Sequence, residues 1–140
     1  RASKTTPHAD HDLEAASNAK LVYEAADGEP LLAKVYREIY PPGSTFKLIT
    51  SAAALEGDLT PDSIIDASSY QLPGSTRVIS GYCGGSQITL AQALKVSCNP
   101  GFARLGVSLG QDALRAQAEK FGFGTSLLSD IGGTASKFPD

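Results

Sequence analysis

The chain has 140 residues, of which 41% are hydrophobic and 19% charged, and its net charge is −3. These values suit one globular domain, or part of one, long enough to bury a core. They exclude the basic footprint of a nucleic-acid binder, and no run of about eighteen apolar residues is present to cross a membrane as a helix.

In chain order, residues 1–10 are polar and read as extended or loop. His8-Ala9-Asp10-His11-Asp12 has the residue types of a metal cluster, but no second shell is in view. The segment is read as a surface loop leading to a helix cap at Asp12, with no metal. Leu13, Ala16, Ala19, Leu21, Val22 and Ala25 recur at helical spacing, so an amphipathic helix is expected over 12–26, closed by Asp27-Gly28. Residues 31–39 form a short apolar piece that delivers the chain to Tyr40.

The chain is organised around Tyr40-Pro41-Pro42-Gly43-Ser44-Thr45-Phe46-Lys47. The prolines forbid helix before them, Gly43 allows a sharp turn, and no breaker follows until Gly57. A helix over 44–56 is therefore predicted, with Ser44 at its very start and Lys47 one turn on, on the same face. The segment is apolar nearly all round, which predicts a helix buried inside a domain. A lysine there favours its neutral form, and a neutral amine beside a serine hydroxyl is a base beside a nucleophile. The helix start would also stabilise negative charge developing at that serine. Taken alone, these residues also fit an ordinary N-cap serine and a lysine that snorkels to solvent.

Residues 58–66 read as a loop and 69–82 as a short hairpin or irregular excursion. Cys83-Gly84-Gly85 is a turn, and Thr89 caps a helix running to Val96. Pro100 ends helical continuity, leaving Ser97-Cys98-Asn99 as a short loop before a helix over 101–109. Gly110 separates that helix from another over 111–121, and Gly122 and Gly124 stop it. Few or no paired strands are expected, and the tail from Thr125 has no clear period.

The Ser-x-x-Lys element after Tyr-Pro-Pro-Gly, followed about fifty residues later by Ser97-Cys98-Asn99, resembles the transpeptidase domains of penicillin-binding proteins. Gly84-Gly85-Ser86-Gln87-Ile88-Thr89-Leu90, Phe102-Ala103-Arg104-Leu105-Gly106 and Phe121-Gly122-Phe123-Gly124 resemble the monofunctional class B members, particularly actinobacterial ones. The resemblance implies an α+β fold: a helix-rich fragment of the serine β-lactamase/DD-peptidase-like transpeptidase fold, with most of the central antiparallel sheet missing. It implies that Ser44 is the nucleophile, Lys47 its base, Ser97 a proton relay, and Asn99 the group that binds substrate amide and fixes Lys47. The Ser44 N–H would be half of an oxyanion hole. No cofactor is implied. The implied partners are D-Ala-D-Ala stem peptides of peptidoglycan, β-lactams, and cell-division or elongation proteins. The implied location is the outer side of a bacterial cell membrane, with a parent protein anchored by a segment outside this chain.

The third family motif, Lys-Thr-Gly, does not follow Asn99; Lys4-Thr5-Thr6 precedes Ser44 and lacks the glycine. Residues 1–140 are therefore expected to be a partial transpeptidase domain. A serine β-lactamase, a β-lactam sensor and a non-catalytic peptidoglycan- or divisome-binding module are the competing readings. Cys98 lies between two residues that must face the cleft, so its side chain should turn inward, where Cys83 can fold back to it. In the implied compartment a Cys83–Cys98 bridge persists. The alternative is two free buried cysteines.

Overall fold

The computed structural model describes residues 8–26, 37–126 and 128–139. It divides into two compact units, Arg1–Glu38 and Ile39–Asp140. In the first unit, helix α1 spans His8–Glu24. It begins earlier than the sequence reading placed it, so Asp12 is an interior residue of the helix and not its cap. No proline or glycine interrupts 8–24, and acidic residues near a helix start favour its dipole. Leu13, Leu21, Val22 and Tyr23 on α1 are exposed. Lys20 pairs with Glu24 across one turn at 3.5 Å. The apolar piece expected before Tyr40 and the Lys4-Thr5-Thr6 segment lie largely or wholly outside the described residues.

The second unit opens with a 3-10 turn at Gly43–Thr45, which runs into helix α2, Phe46–Glu56. Strands β1 (Ile64–Asp66), β2 (Tyr70–Gln71), β3 (Val78–Ile79) and β4 (Gln87–Thr89) follow. Helices α3 (Leu90–Lys95) and α4 (Asn99–Lys120) come next, then a 3-10 turn at Ser129–Ile131. The strands make two antiparallel pairs, β1 with β4 and β2 with β3. The second pair is the hairpin read from 69–82, with Tyr70 opposite Ile79. The first pair corrects the reading of 58–66 as loop throughout. A three-residue strand is too short to show a period, and its partner, with Ile65 opposite Ile88, is more than twenty residues away.

The alternation of β1 decides which face is inside: Ile64 is 60% exposed and Ile65 only 9%. Ile65 joins Ala54, Ala67, Ile88, Leu90, Ala93, Phe102, Leu105 and both cysteines in one buried cluster. Each large apolar side chain buried there contributes roughly 1.5–3 kcal/mol. Thr89 caps α3 as predicted, its hydroxyl accepting from the Gln92 N–H at 3.1 Å. Cys83 and Cys98 are joined by a disulfide, with Cα atoms 5.0 Å apart. Gly101 is where α4 touches this cluster: a Cβ there would lie 3.1 Å from Cys98 Sγ and 3.2 Å from Ile65 Cδ1. Only glycine lets the helix sit that close without displacement.

Two helices predicted over 101–109 and 111–121 are one element with a break. Gly110 adopts φ 81° inside α4, so the chain changes direction there as the glycine suggested. Pro100 lies in the first turn of α4 instead of preceding the helix, because the first turn does not need its N–H. Helix α2 packs against α4. Lys120 near the end of α4 donates to Glu56 at the end of α2, holding that carboxyl below its usual range. Helix α2 is not buried all round: Leu48 and Leu55 are exposed, while Lys47, Ile49, Thr50, Ser51, Ala53 and Ala54 are buried.

Candidate active site

The prolines and Gly43 bring the chain into α2 through a tight turn, and Gly43 takes φ 56° to do so. Thr45 donates its hydroxyl to the Pro42 carbonyl at 2.6 Å, which fixes the turn. Ser44 therefore sits in a 3-10 turn just before α2, not in its first α-helical turn. This is a small correction with a plain cause: glycine and two prolines upstream favour the tighter i→i+3 pattern at a helix entrance. Ser44 is exposed, while Lys47 faces inward on the next turn. Phe46, between them, meets Phe123 edge-on, with ring centroids 6.0 Å apart.

Ser97 lies in the short connection between α3 and α4. Its N–H donates to the Leu94 carbonyl at 3.1 Å, and the Cys98 N–H donates to the Ala93 carbonyl at 2.9 Å. Between these anchors Ser97 takes φ 54°, the one positive φ at a non-glycine position among the described residues. A left-handed residue with a Cβ costs about 1–2 kcal/mol. Asn99, read as loop from the sequence, is the first residue of α4, so a helix and not a loop fixes its direction.

The result is a four-residue cluster. Lys47 Nζ lies 3.2 Å from Ser44 Oγ, 2.7 Å from Ser97 Oγ, 2.8 Å from the Ser97 carbonyl oxygen and 2.6 Å from Asn99 Oδ1. Ser97 Oγ and Ser44 Oγ are 3.1 Å apart. The left-handed φ of Ser97 is what turns both its carbonyl and its hydroxyl towards one amine. Phe102 places its ring centroid 5.8 Å from Nζ. Lys47 is only 9% exposed, and none of these partners is a carboxylate.

Counting protons gives the preferred state. The Ser97 carbonyl and Asn99 Oδ1 only accept, so they take the two N–H bonds of a neutral amine. Its lone pair is then left for a hydroxyl proton from Ser44 or Ser97. Burial without a counter-ion moves the Lys47 pKa the same way, below the ordinary lysine value. A depressed lysine pKa means that the folded state carries the desolvation penalty at low pH. Stability should therefore rise with pH between the folded and unfolded values. If the amine takes a proton from Ser44, acylation of Ser44 should rise tenfold per pH unit below the Lys47 pKa. It should level off at a lower pH than a solvent-exposed lysine would give. A profile flat across that range would remove Lys47 as the base.

Sequence reasoning named all four members of this cluster and missed its surroundings. Phe102 was seen only as part of a flank. Arg104 was likewise unremarked, yet it pairs with Asp66 at 3.3 Å and lies over the Tyr70 ring at 4.4 Å, tying α4 to β1 and the hairpin. Nor did the sequence show the cavity of about 440 Å³ between α2, α4 and the hairpin, lined by Lys47, Asn99, Phe102, Leu72, Arg77 and Ile79 among others. Local spacing carries no signal for contacts of this range. Among the described residues no cluster of His, Cys, Asp and Glu suits a metal ion, and no helix is long and apolar enough to cross a membrane.

Comparison with known proteins agrees with this geometry. Residues 2–140 match the family described as the penicillin-binding protein transpeptidase domain. The peptidoglycan D,D-transpeptidase PbpA of Mycolicibacterium smegmatis is 41% identical over 123 residues, covering 84% of this chain and 25% of that protein. Stage V sporulation protein D of Bacillus subtilis is 40% identical over 106 residues, covering 71% of this chain and 16% of that one. The penicillin G acyl-enzyme complex of penicillin-binding protein A from M. tuberculosis superimposes with a TM-score of 0.78 at 35% identity. It covers 93% of this chain and 32% of that chain. This chain thus spans about a quarter of the length of the curated PbpA relative it matches. With the family match running nearly end to end and the Ser44, Lys47, Ser97 and Asn99 cluster assembled in space, the chain belongs to the penicillin-binding protein transpeptidase family, in its class B branch.

Proposed function

We propose that this chain is the nucleophile-bearing part of a peptidoglycan D,D-transpeptidase domain. The observation that carries the reading is the Lys47 amine, buried without a carboxylate and within hydrogen-bond reach of Ser44, Ser97 and Asn99. Ser44 Oγ attacks the carbonyl preceding the terminal D-alanine of a stem peptide, and its proton passes to Lys47 Nζ. The carbonyl oxygen becomes an oxyanion facing the Ser44 N–H, with the second donor supplied by a strand outside this chain. When the tetrahedral intermediate collapses, the C–N bond breaks and Ser97 Oγ hands the departing D-alanine amine a proton, regaining one from Lys47. An amine of a second stem peptide then attacks the acyl-serine ester. A new amide forms, Ser44 leaves with its proton restored, and two strands are cross-linked.

Asn99 holds Lys47 through Oδ1, which leaves its amide N–H group to meet the substrate backbone. The penicillin G acyl-enzyme of the M. tuberculosis relative supports β-lactams as mimics that acylate the same serine. Such a domain works on the outer side of the cell membrane, among proteins of division or elongation. In the full-length protein, labelled penicillin should give a lasting adduct on the peptide that carries Ser44. An adduct lost within minutes would indicate a β-lactamase instead. No adduct under conditions that acylate a PbpA control would sink the catalytic reading and favour a binding module.

A further inference from the structure

The proposed mechanism needs Lys47 to reach its neutral form at a working pH, and a protein favours a neutral amine by keeping water away from it. Four oxygens meet Lys47 Nζ, and the Phe102 ring faces it as well, with its centroid 5.8 Å away. Phe102 lies one turn after Asn99 on α4, so the side chain that holds the amine and the ring beside it share a face of that helix. The ring is 6% exposed and belongs to the buried cluster that contains both cysteines. It lines the cavity of about 440 Å³ that Lys47 also lines, and a second cavity of about 530 Å³ that Lys47 does not line. Open space thus adjoins the ring, and without the ring water would reach the amine from it.

The charged groups around Lys47 leave this role to the ring. Glu56, at the other end of α2, is bound by Lys120, and Asp66 on β1 is paired with Arg104 of α4. Asp112 and Glu119 of α4 lie beyond the break at Gly110. Lys95 at the end of α3 is exposed, and Lys137 in the tail lines a different cavity. Arg77 of the hairpin lines the same cavity as Lys47, where its charge also disfavours an ammonium. An aromatic face attracts an ammonium, but only out to about 6 Å. At 5.8 Å that attraction is near its limit, so the exclusion of water outweighs it. The lowered pKa of Lys47, which follows from its burial, has the same sign.

We infer that Phe102 is a positioning residue of this reaction, whose ring excludes water from the Lys47 amine and so keeps that amine ready to take the Ser44 proton. It acts through Lys47 and makes no bond to a reacting group. The inference rests on the transpeptidase reading, because it takes Lys47 as the base for Ser44.

The test uses the full-length protein and follows the rate constant for acylation by penicillin G against pH. In Phe102→Ala the rising limb of that profile should move to higher pH by about one unit, since loss of one wall undoes part of the desolvation of the amine. At a fixed pH below both limbs the variant should then acylate about tenfold more slowly. Phe102→Leu, apolar but shorter than phenylalanine, should move the limb the same way by less. Above both limbs the rates should approach that of wild type, because the neutral amine is the same base. A limb that stays in place while the plateau falls would overturn the inference, since it would mean that the ring only packs. A limb displaced to lower pH would overturn it too, because the attraction of the ring for the ammonium would then dominate. Should Phe102→Ala not fold, Phe102→Leu decides by the same criterion. A wild-type protein that is not acylated, or that is acylated with no rising limb, would instead refute the reading of Lys47 as the base, and the role of Phe102 with it.

Discussion

Arginine in place of Lys47 is expected to cut β-lactam acylation of the full-length protein by roughly a thousandfold while leaving it folded. General-base catalysis is typically worth 10²–10⁴-fold, and arginine cannot serve because it does not lose its proton at any working pH. The four oxygens around Lys47 Nζ are the Ser97 carbonyl, Asn99 Oδ1 and the hydroxyls of Ser97 and Ser44. A guanidinium would bond all of them as a donor and leave no lone pair for the Ser44 proton. The adjoining cavity gives the larger head group room, so the melting temperature should move little compared with the change in rate. Stopped-flow acylation and a thermal melt on the same sample separate the two effects. Acylation at the wild-type rate would show that another group takes the proton.

Replacing both cysteines by alanine should destabilise the domain by about 3 kcal/mol, the loop-closure worth of a bridge across fifteen residues. The effect on function should follow from where Cys98 lies. It is flanked by Ser97, held at φ 54°, and by Asn99, the first residue of α4. Without the bridge, the hydrogen bonds of Ser97 and Cys98 to α3 and the start of α4 hold that left-handed residue alone. Acylation should slow along with the loss of stability, by an amount set by how often Ser97 leaves its position. Urea unfolding of the wild-type and double-alanine proteins checks the first part. A midpoint unchanged at equal slope would mean that the bridge adds nothing to stability, and that the hydrogen bonds of Ser97 and Cys98 to α3 and the rest of the core fix this connection.

The readings that held are those written in local chemistry. Two prolines and a glycine stop one conformation and start another within a few residues, so the entrance to α2 was legible. Thr89 as a cap, Gly110 as a break and the hairpin near 70–79 were legible for the same reason. The pairing of Ser44 with Lys47 follows from helical spacing alone. What remained hidden depends on residues far apart in the chain. Strand β1 exists because Ile65 finds Ile88, and nothing within three residues of Ile64 announces that partner. His8–Asp12 was assigned to loop because its polar residues suggested a cap, whereas uninterrupted helical propensity continued through them. The sequence favoured a Cys83–Cys98 bridge over two free thiols, and the fold joins them. Ser97 and Asn99 reach Lys47 across some fifty residues because α2 and α4 pack together and Ser97 accepts a left-handed backbone. Sequence by itself thus determined which side chains could do the chemistry and roughly where the helices near them begin, with the exact first residues, Phe46 and Asn99, set by the fold. Tertiary structure alone decided that one buried amine meets both serines and the asparagine, because convergence on a point requires two packed elements, and packing is a property of surfaces that neighbouring letters do not encode.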